Sequence, residues 1–231
     1  MPTRAQTAQR LVDPGIIAVV RVPNYAQVLP LSRALVEGGV RAVEITLTTP
    51  RALEAIRLLR RELDPSILVG AGTVVSARDA LAVLEAGAEF LISPITRPEI
   101  VPVAHDAGCP VLLGAYTPTE AQTAHEAGAD FIKLFPATTL GPDYIKNLLA
   151  PLPHLKIVPT GGVDLQTAAA FLQAGCAALG VGSSLLTKDI LRNENWPELT
   201  RLAQAYVQIA QAHASHLQPR LERDGGRNAG S

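Results

Sequence analysis

Two hydrophobic periods alternate along this chain. Short runs of β-branched and aliphatic residues recur near 15–21, 41–47, 67–71, 89–93, 110–114, 130–135, 156–160 and 177–181, and each reads as a strand. Stretches of helical period lie between them, among them PNYAQVLPLSRALVEGG, PRALEAIRLLRREL and SARDALAVLEAG. The junction from helix to strand repeats as EGGVRAVEI, EAGAEFLIS, DAGCPVLLG, EAGADFIKL and QAGCAALGV. Each helical run ends at a glycine suited to the left-handed C-terminal position, and β-prone residues follow at once. Helix starts are marked too, by Ser76 with Asp79 and by Thr117 with Pro118 and Glu120. The gap at 95–109 opens on TRPEI, which continues the alternation with another helix. Eight strands with intervening helices predict an α/β fold, a (β/α)8 TIM barrel whose closure removes the sheet edges. An open doubly wound sheet is the alternative, since the pattern does not contain strand order.

The last long helical pattern, WPELTRLAQAYVQIAQAHASHL, covers 196–217, and the polar, glycine-rich QPRLERDGGRNAGS follows. A single barrel domain with its terminal helices is expected over 1–217, and a flexible tail over 218–231. The chain has 231 residues, enough for one barrel, and with only 4% aromatics its core must be aliphatic. A formal net charge of -1 leaves no general footprint for nucleic acid or an anionic membrane, so an anionic partner would be a small molecule held by a local patch. Cys109 and Cys176 have neither metal-ligand spacing nor a disulfide framework, and both read as buried thiols. His213 and His216 lack nearby acids or cysteines and read as exposed helix residues. The first fifteen residues lack the apolar core of a signal peptide, and charges or breakers interrupt every long apolar stretch. A soluble cytoplasmic protein is expected.

Against this background Lys133 stands out, because FIKLF places one of only four lysines inside an apolar strand. Alternation puts Phe131, Lys133 and Phe135 on one side of it. The lysine either snorkels from a strand end or enters the barrel. Pro136 marks the C-terminal end of that strand, the end at which barrel active sites form, and this favours entry. Burial disfavours an ammonium, and a neutral amine can attack a ketone to give an imine that drives cleavage of a neighbouring carbon-carbon bond. An arginine could not do this. Glu44, embedded in VEITLTTP, supplies a proton carrier for such chemistry, or a structural ion pair with Arg21 or Lys133. Arg21 ends the first strand, where it suits a carboxylate or phosphate at the barrel mouth. PTGGV and GVGSSLL follow the seventh and eighth strands, where barrels build phosphate cups from backbone N–H groups; Gly161, Gly162, Gly182 and Ser183 are the candidates. Read alone, these glycines would merely permit tight turns. VGAGTV lacks the spaced glycines and the later acid of a dinucleotide fingerprint.

Taken in order, GGVRAVEITL, VGAGTV, LISP, ADFIKLFPA and VPTGGV resemble the class I 2-keto-3-deoxy-6-phosphogluconate aldolases, also described as 4-hydroxy-2-oxoglutarate aldolases. The resemblance runs from about 15 to 186. It implies a (β/α)8 barrel, commonly a homotrimer, that cleaves 2-keto-3-deoxy-6-phosphogluconate reversibly to pyruvate and glyceraldehyde 3-phosphate. It implies Lys133 as the Schiff-base residue and Glu44 as the acid/base, with Thr73 and Pro94 around the pyruvoyl end. Phe135 packs near the imine and Thr160 beside the substrate in this reading, while Gly161, Gly162, Gly182 and Ser183 form the phosphate region. No metal or organic cofactor is implied, and neither nucleic acid nor membrane is a partner. One departure concerns the distal contacts: some members carry E-x-T-L-R where EITLT here places Thr48, whereas Arg21 matches members with an arginine ending strand one. Substrate preference therefore stays open among this sugar acid, 2-keto-3-deoxy-6-phosphogalactonate and 4-hydroxy-2-oxoglutarate. A catalytically silent sugar-phosphate sensor is the alternative from another class, and it would bind without turnover.

Overall fold

A computed structural model describes residues 2–225. The eight strands are β1 Ile16–Val20, β2 Ala42–Thr46, β3 Leu68–Gly72, β4 Leu91–Ile92, β5 Val111–Ala115, β6 Phe131–Leu134, β7 Ile157–Pro159 and β8 Leu179–Val181. All pairings are parallel, in the order β7-β6-β5-β4-β3-β2-β1-β8. A bridge between Thr160 and Gly180, with a 2.8 Å bond from the Ala177 N–H to the Ile157 carbonyl, joins the two ends. This closure makes the sheet a (β/α)8 barrel and removes the open doubly wound alternative. β4 is formally two residues long, yet bonds from Glu89 N–H to Val69 O and from Ser93 N–H to Leu112 O carry its ladder further on both sides.

The helices are α1 Arg4–Leu11, α2 Val28–Glu37, α3 Ala52–Glu62, α4 Ala77–Glu85, α5 Ile100–Asp106, α6 Pro118–Glu126, α7 Gly141–Leu149, α8 Ala168–Gln173, α9 Lys188–Asn193 and α10 Trp196–Gly225. At all five repeated junctions the chain reverses through a glycine of positive φ, Gly39, Gly87, Gly108, Gly128 and Gly175. In four of them the next N–H reaches back to the helix, as from Val40 to Leu35 O at 3.1 Å, which closes the C-terminal turn. Thr117 and Glu120 form a reciprocal capping box with Pro118 in the first turn, and the Ser76 hydroxyl accepts from the Asp79 N–H. α10 extends beyond residue 217, where the sequence pattern places its end; the helix formers Leu221, Glu222 and Arg223 belong to this added length. Of the expected tail, residues 226–231 lie outside the described residues. Among the described residues no helix is long and apolar enough to cross a membrane.

Strand parity divides the interior in two. Outward residues such as Val43, Ile45, Val69, Leu113 and Ile132 pack beneath the helices in the main core. Inward residues Ile17, Ala42, Leu68, Phe90, Leu112, Phe131 and Val158 fill the lower lumen, and Leu11 of α1 joins them from below. The reading of the sequence assigned no separate element to the stretch that forms α1. Its signal was present in Thr3 and Gln6, which form a reciprocal capping box at its start. α1 acts as a plug: Leu11 closes the apolar lower lumen from below, and the polar inward groups of the barrel lie toward its C-terminal mouth.

Candidate active site

Lys133 and Glu44 rise from opposite walls of the barrel, four strands apart in either direction. Register places Val19, Glu44 and Gly70 side by side on one wall and Gly114, Lys133 and Val158 on the other. Both charged side chains therefore share the inward parity of the plug, one step nearer the mouth. The Lys133 Nζ stands 3.5 Å from the Glu44 Oε1, with the two residues 5% and 1% exposed. Of the partners open to Glu44, the structure selects Lys133. The separation is at the long end of hydrogen bonding, close enough for proton exchange directly or through one water.

Glycines make the room. A Cβ on Gly72 would run into the Glu44 carboxylate, one on Gly114 into the Pro94 carbonyl, and one on Gly180 into the Thr160 hydroxyl. These inward positions would otherwise carry side chains that fill the upper lumen, as happens lower down. The spacing roles of Gly114 and Gly180 were not legible in the sequence, because the atoms they make way for belong to other strands. Thr73, directly above Gly72, has φ +63°, a left-handed conformation costly for a β-branched residue and of the kind found at functional sites.

Arg21, Phe135, Thr160, Gly161, Gly162, Gly182 and Ser183 all line one cavity of about 250 Å³ at the mouth. Consecutive left-handed conformations at Gly161 (φ +81°) and Gly162 (φ +80°) turn the chain sharply after β7. Among the described residues, the N–H groups of Gly161, Gly162 and Ser183 donate to no protein acceptor, so they are free for an anion. Arg21 is exposed on the cavity wall and has no carboxylate partner among the described residues. Phe135 forms the divider: its ring lies 5.4 Å from Lys133 Nζ, and it also walls a second cavity with Pro94, Ile95 and Tyr116. Pro94 thus faces that second cavity rather than the cup, and Thr73 lines neither.

At the position of the missing arginine, Thr48 is tied down. Its hydroxyl pairs with that of Thr46 at 3.0 Å, and Thr46 and Thr49 both donate to the Val20 carbonyl. Arg51 does not take over the role, because it stacks on Tyr25 at 4.2 Å, pairs with Glu54 and is absent from the cup lining. Arg21 is therefore the arginine of this cavity. Among the described residues, no three His, Cys, Asp or Glu side chains gather as a metal site.

A closed barrel with a lysine and a glutamate meeting inside its upper lumen, beneath a glycine-lined cavity, is the arrangement of an imine-forming carbon-carbon lyase. The sequence profile for KDPG and KHG aldolase matches residues 8–202, and the chain belongs to that family. It is 33% identical to the 2-dehydro-3-deoxy-phosphogluconate aldolase of Haemophilus influenzae over 90% of this chain and 98% of the relative. It is 36% identical to the 2-dehydro-3-deoxy-6-phosphogalactonate aldolase of Escherichia coli, over 74% of this chain and 83% of that one. Among solved structures, KDPG aldolase from Legionella pneumophila, with pyruvate captured as a covalent carbinolamine, superimposes with a TM-score of 0.80 at 30% identity, covering 86% of this chain and 97% of that one.

Proposed function

We propose that the protein is a class I aldolase that reversibly cleaves 2-keto-3-deoxy-6-phosphogluconate to pyruvate and glyceraldehyde 3-phosphate through an imine on Lys133. The observation that carries this reading is the buried contact of Lys133 with Glu44, 3.5 Å apart, directly under a mouth cavity. The Lys133 amine adds to the C2 ketone, and Glu44 relays the protons that turn the carbinolamine into a protonated imine and water. Glu44 then takes the proton of the C4 hydroxyl. The C3–C4 bond breaks, its electrons pass to the imine as an enamine, and C4 departs as the aldehyde. Protonation of the enamine carbon and hydrolysis return pyruvate and the free amine. Since the protonated imine is itself the electron sink, no step calls on a metal or organic cofactor.

Thr73 and Pro94 flank the pyruvoyl end in this proposal, Phe135 packs against the imine, and Thr160 lies beside the substrate. Arg21 and the backbone of Gly161, Gly162, Gly182 and Ser183 hold the phosphate. The cytoplasm is the expected location and a homotrimer the expected assembly. Val75, Ile95 and Tyr116 are exposed on the successive loops after β3, β4 and β5, an apolar rim that such an assembly can cover. Light scattering would then give three times the chain mass of 24.4 kDa.

The test of the mechanism is incubation with pyruvate and borohydride followed by peptide mass analysis. A reduced adduct is expected on Lys133, and its absence under conditions that support turnover rejects the imine. A second reading, in which the phosphogalactonate epimer is preferred, draws support from Thr48 standing in place of an arginine. Comparing kcat/KM for the two phosphorylated epimers and for 4-hydroxy-2-oxoglutarate separates these substrates.

A further inference from the structure

The N-terminal end of the barrel, opposite the chemistry, carries a hollow that the reaction does not use. α1 crosses this end and is fastened at two places. Arg10 donates to the Ser66 carbonyl at 2.8 Å ahead of β3, and Arg4 pairs with Asp130 at 3.5 Å ahead of β6. Beside α1 lie two adjoining cavities of about 270 and 590 Å³, with Arg4, Ala8, Asp130, Phe131 and Lys156 common to both. The less exposed part of their lining is apolar, made by Ala8 and Val12 of α1 with Phe131 and Ala177. The rim is basic: Arg4 and Lys156 stand there with two exposed imidazoles, His125 and His154, whose ring centres are 4.6 Å apart.

Charge is unevenly distributed there. Among the described residues Asp130 is the one carboxylate of the lining, and it is already engaged. It accepts from the Val111 N–H at 3.0 Å and from His105 at 3.1 Å, besides its pair with Arg4. Lys156 has no carboxylate partner among the described residues, and its Nζ lies 5.8 Å from the centre of the Phe131 ring. The His125 ring bonds to no protein group among the described residues, whereas His154 donates from Nε2 to the Gln122 amide oxygen at 2.9 Å. Apolar walls beside an uncompensated cation focus its field on whatever enters. The backbone adds no donors, because the N–H groups of Gly128, Ala129, Asp130 and Ile132 all donate to protein carbonyls. This is the reverse of the mouth cavity, where N–H groups are free. A phosphate, which needs several donors, is poorly served here; a carboxylate with an apolar body is well served.

We propose that this hollow is a second ligand site, for an aromatic carboxylate whose ring lies against Phe131 and α1 and whose charge is met by Lys156 and His125. A flat ring suits the Phe131 and imidazole faces, and Lys156 beside the same ring supplies the counter-charge where the carboxylate emerges. The occupant bridges α1 to the starts of β6 and β7 and so adds to the hold on the plug. It sits at the other end of the barrel from the mouth and does not compete with the keto acid. The inference is independent of what the mouth binds.

The experiment titrates 2-naphthoate into the full chain by calorimetry, for wild type, Lys156→Met, Lys156→Arg, Lys146→Met and Arg21→Ala. Wild type is expected to bind one 2-naphthoate per chain, and the absence of saturable binding up to about 10 mM overturns the proposal. Lys156→Met is expected to weaken binding about tenfold, the scale of a hydrogen bond to a charged group, and Lys156→Arg to restore it to within about threefold. Lys146→Met removes an exposed lysine of α7 outside the hollow, and Arg21→Ala removes the cation of the mouth; both are expected to leave the Kd unchanged. Binding lost in Arg21→Ala and kept in Lys156→Met places the ligand in the mouth and overturns the proposal. Equal weakening in Lys156→Met and Lys146→Met overturns it too, because it marks a general charge effect. Inorganic phosphate is the competing probe, and displacement of 2-naphthoate by phosphate at comparable concentration overturns the carboxylate assignment. None of these results touches the imine mechanism, which pyruvate trapping on Lys133 tests separately.

Discussion

The lower and upper halves of the barrel lumen are built from the same strands on the same parity and have opposite contents. β2 passes from Ala42 to Glu44, β3 from Leu68 to Gly70 and Gly72, β5 from Leu112 to Gly114, and β6 from Phe131 to Lys133. Below, aliphatic and aromatic side chains fill the space and α1 closes it. Above, glycines vacate the space and two charged groups occupy part of it. Close packing gains stability, whereas a buried ion pair on its own is weak support for a fold. The two halves therefore separate stability from chemistry along one axis, and substitutions in each should move different observables.

Lys133→Ala removes the only amine in the upper lumen among the described residues and should show the largest effect. Turnover is expected to fall on the order of 10⁴-fold or more, because nothing else there forms the imine. Borohydride trapping should disappear while circular dichroism still reports a folded barrel. Retention of full activity would refute the division of labour at its centre. The counterpart below is Leu112→Ala, fully buried in the lower lumen. It should cost about 2–5 kcal/mol in urea unfolding, with kcat of the folded enzyme nearly unchanged. A large fall in kcat without a fall in stability would show that the lower lumen takes part in catalysis.

Gly72→Ala tests the boundary, since it adds bulk to the half that is kept empty. The new methyl overlaps the Glu44 carboxylate and must displace it. A shift of about 1 Å can cost roughly 10² in rate, so kcat should fall by about that factor while slow trapping of pyruvate on Lys133 persists. Wild-type kcat in this variant would mean that Glu44 is not held where proton transfer needs it.

What could be foreseen divides along similar lines. Alternation, capping boxes and junction glycines are local, and they were enough to place eight strands and to put Phe131 and Lys133 on one side of theirs, which Pro136 at the strand end favoured as the inner one. The segments from GIIAVVR to GVGSSLL likewise singled out seven residues that share one cavity. Three features depend on atoms distant in sequence and could not be read: which of Arg21 and Lys133 pairs with Glu44, the glycines that clear space for residues on other strands, and the hydrogen bond from the Ser184 hydroxyl to the Val163 carbonyl. The plug was missed for another reason. α1 is short and mostly polar, so hydrophobic period alone did not reveal it; its capping box would have.

The smallest effect concerns the two thiols, which lie away from the lumen. Burial is the leading cause that pushes Cys109 up to about 11 and Cys176 to about 12, with the nearby Glu89 adding to the first. At pH 8 both are therefore protonated in the fold, and iodoacetamide should modify neither appreciably until the protein is unfolded. Of the two thiols expected to be buried, Cys176 is buried and Cys109 only half-buried at the helix end, so Cys109 is the sharper test: its rapid labelling in the native enzyme would contradict the raised thiol. The same shifts set a direction for alkaline stability. An unfolded thiol loses its proton near the ordinary value of 9.0, whereas the folded thiols keep theirs. Between about 9 and 11 the unfolded state thus binds fewer protons, and stability falls as pH rises through that window. Replacing both cysteines with alanine should flatten this part of the profile and leave kcat at pH 8 unchanged, which a urea titration at pH 8 and pH 10 can read alongside turnover.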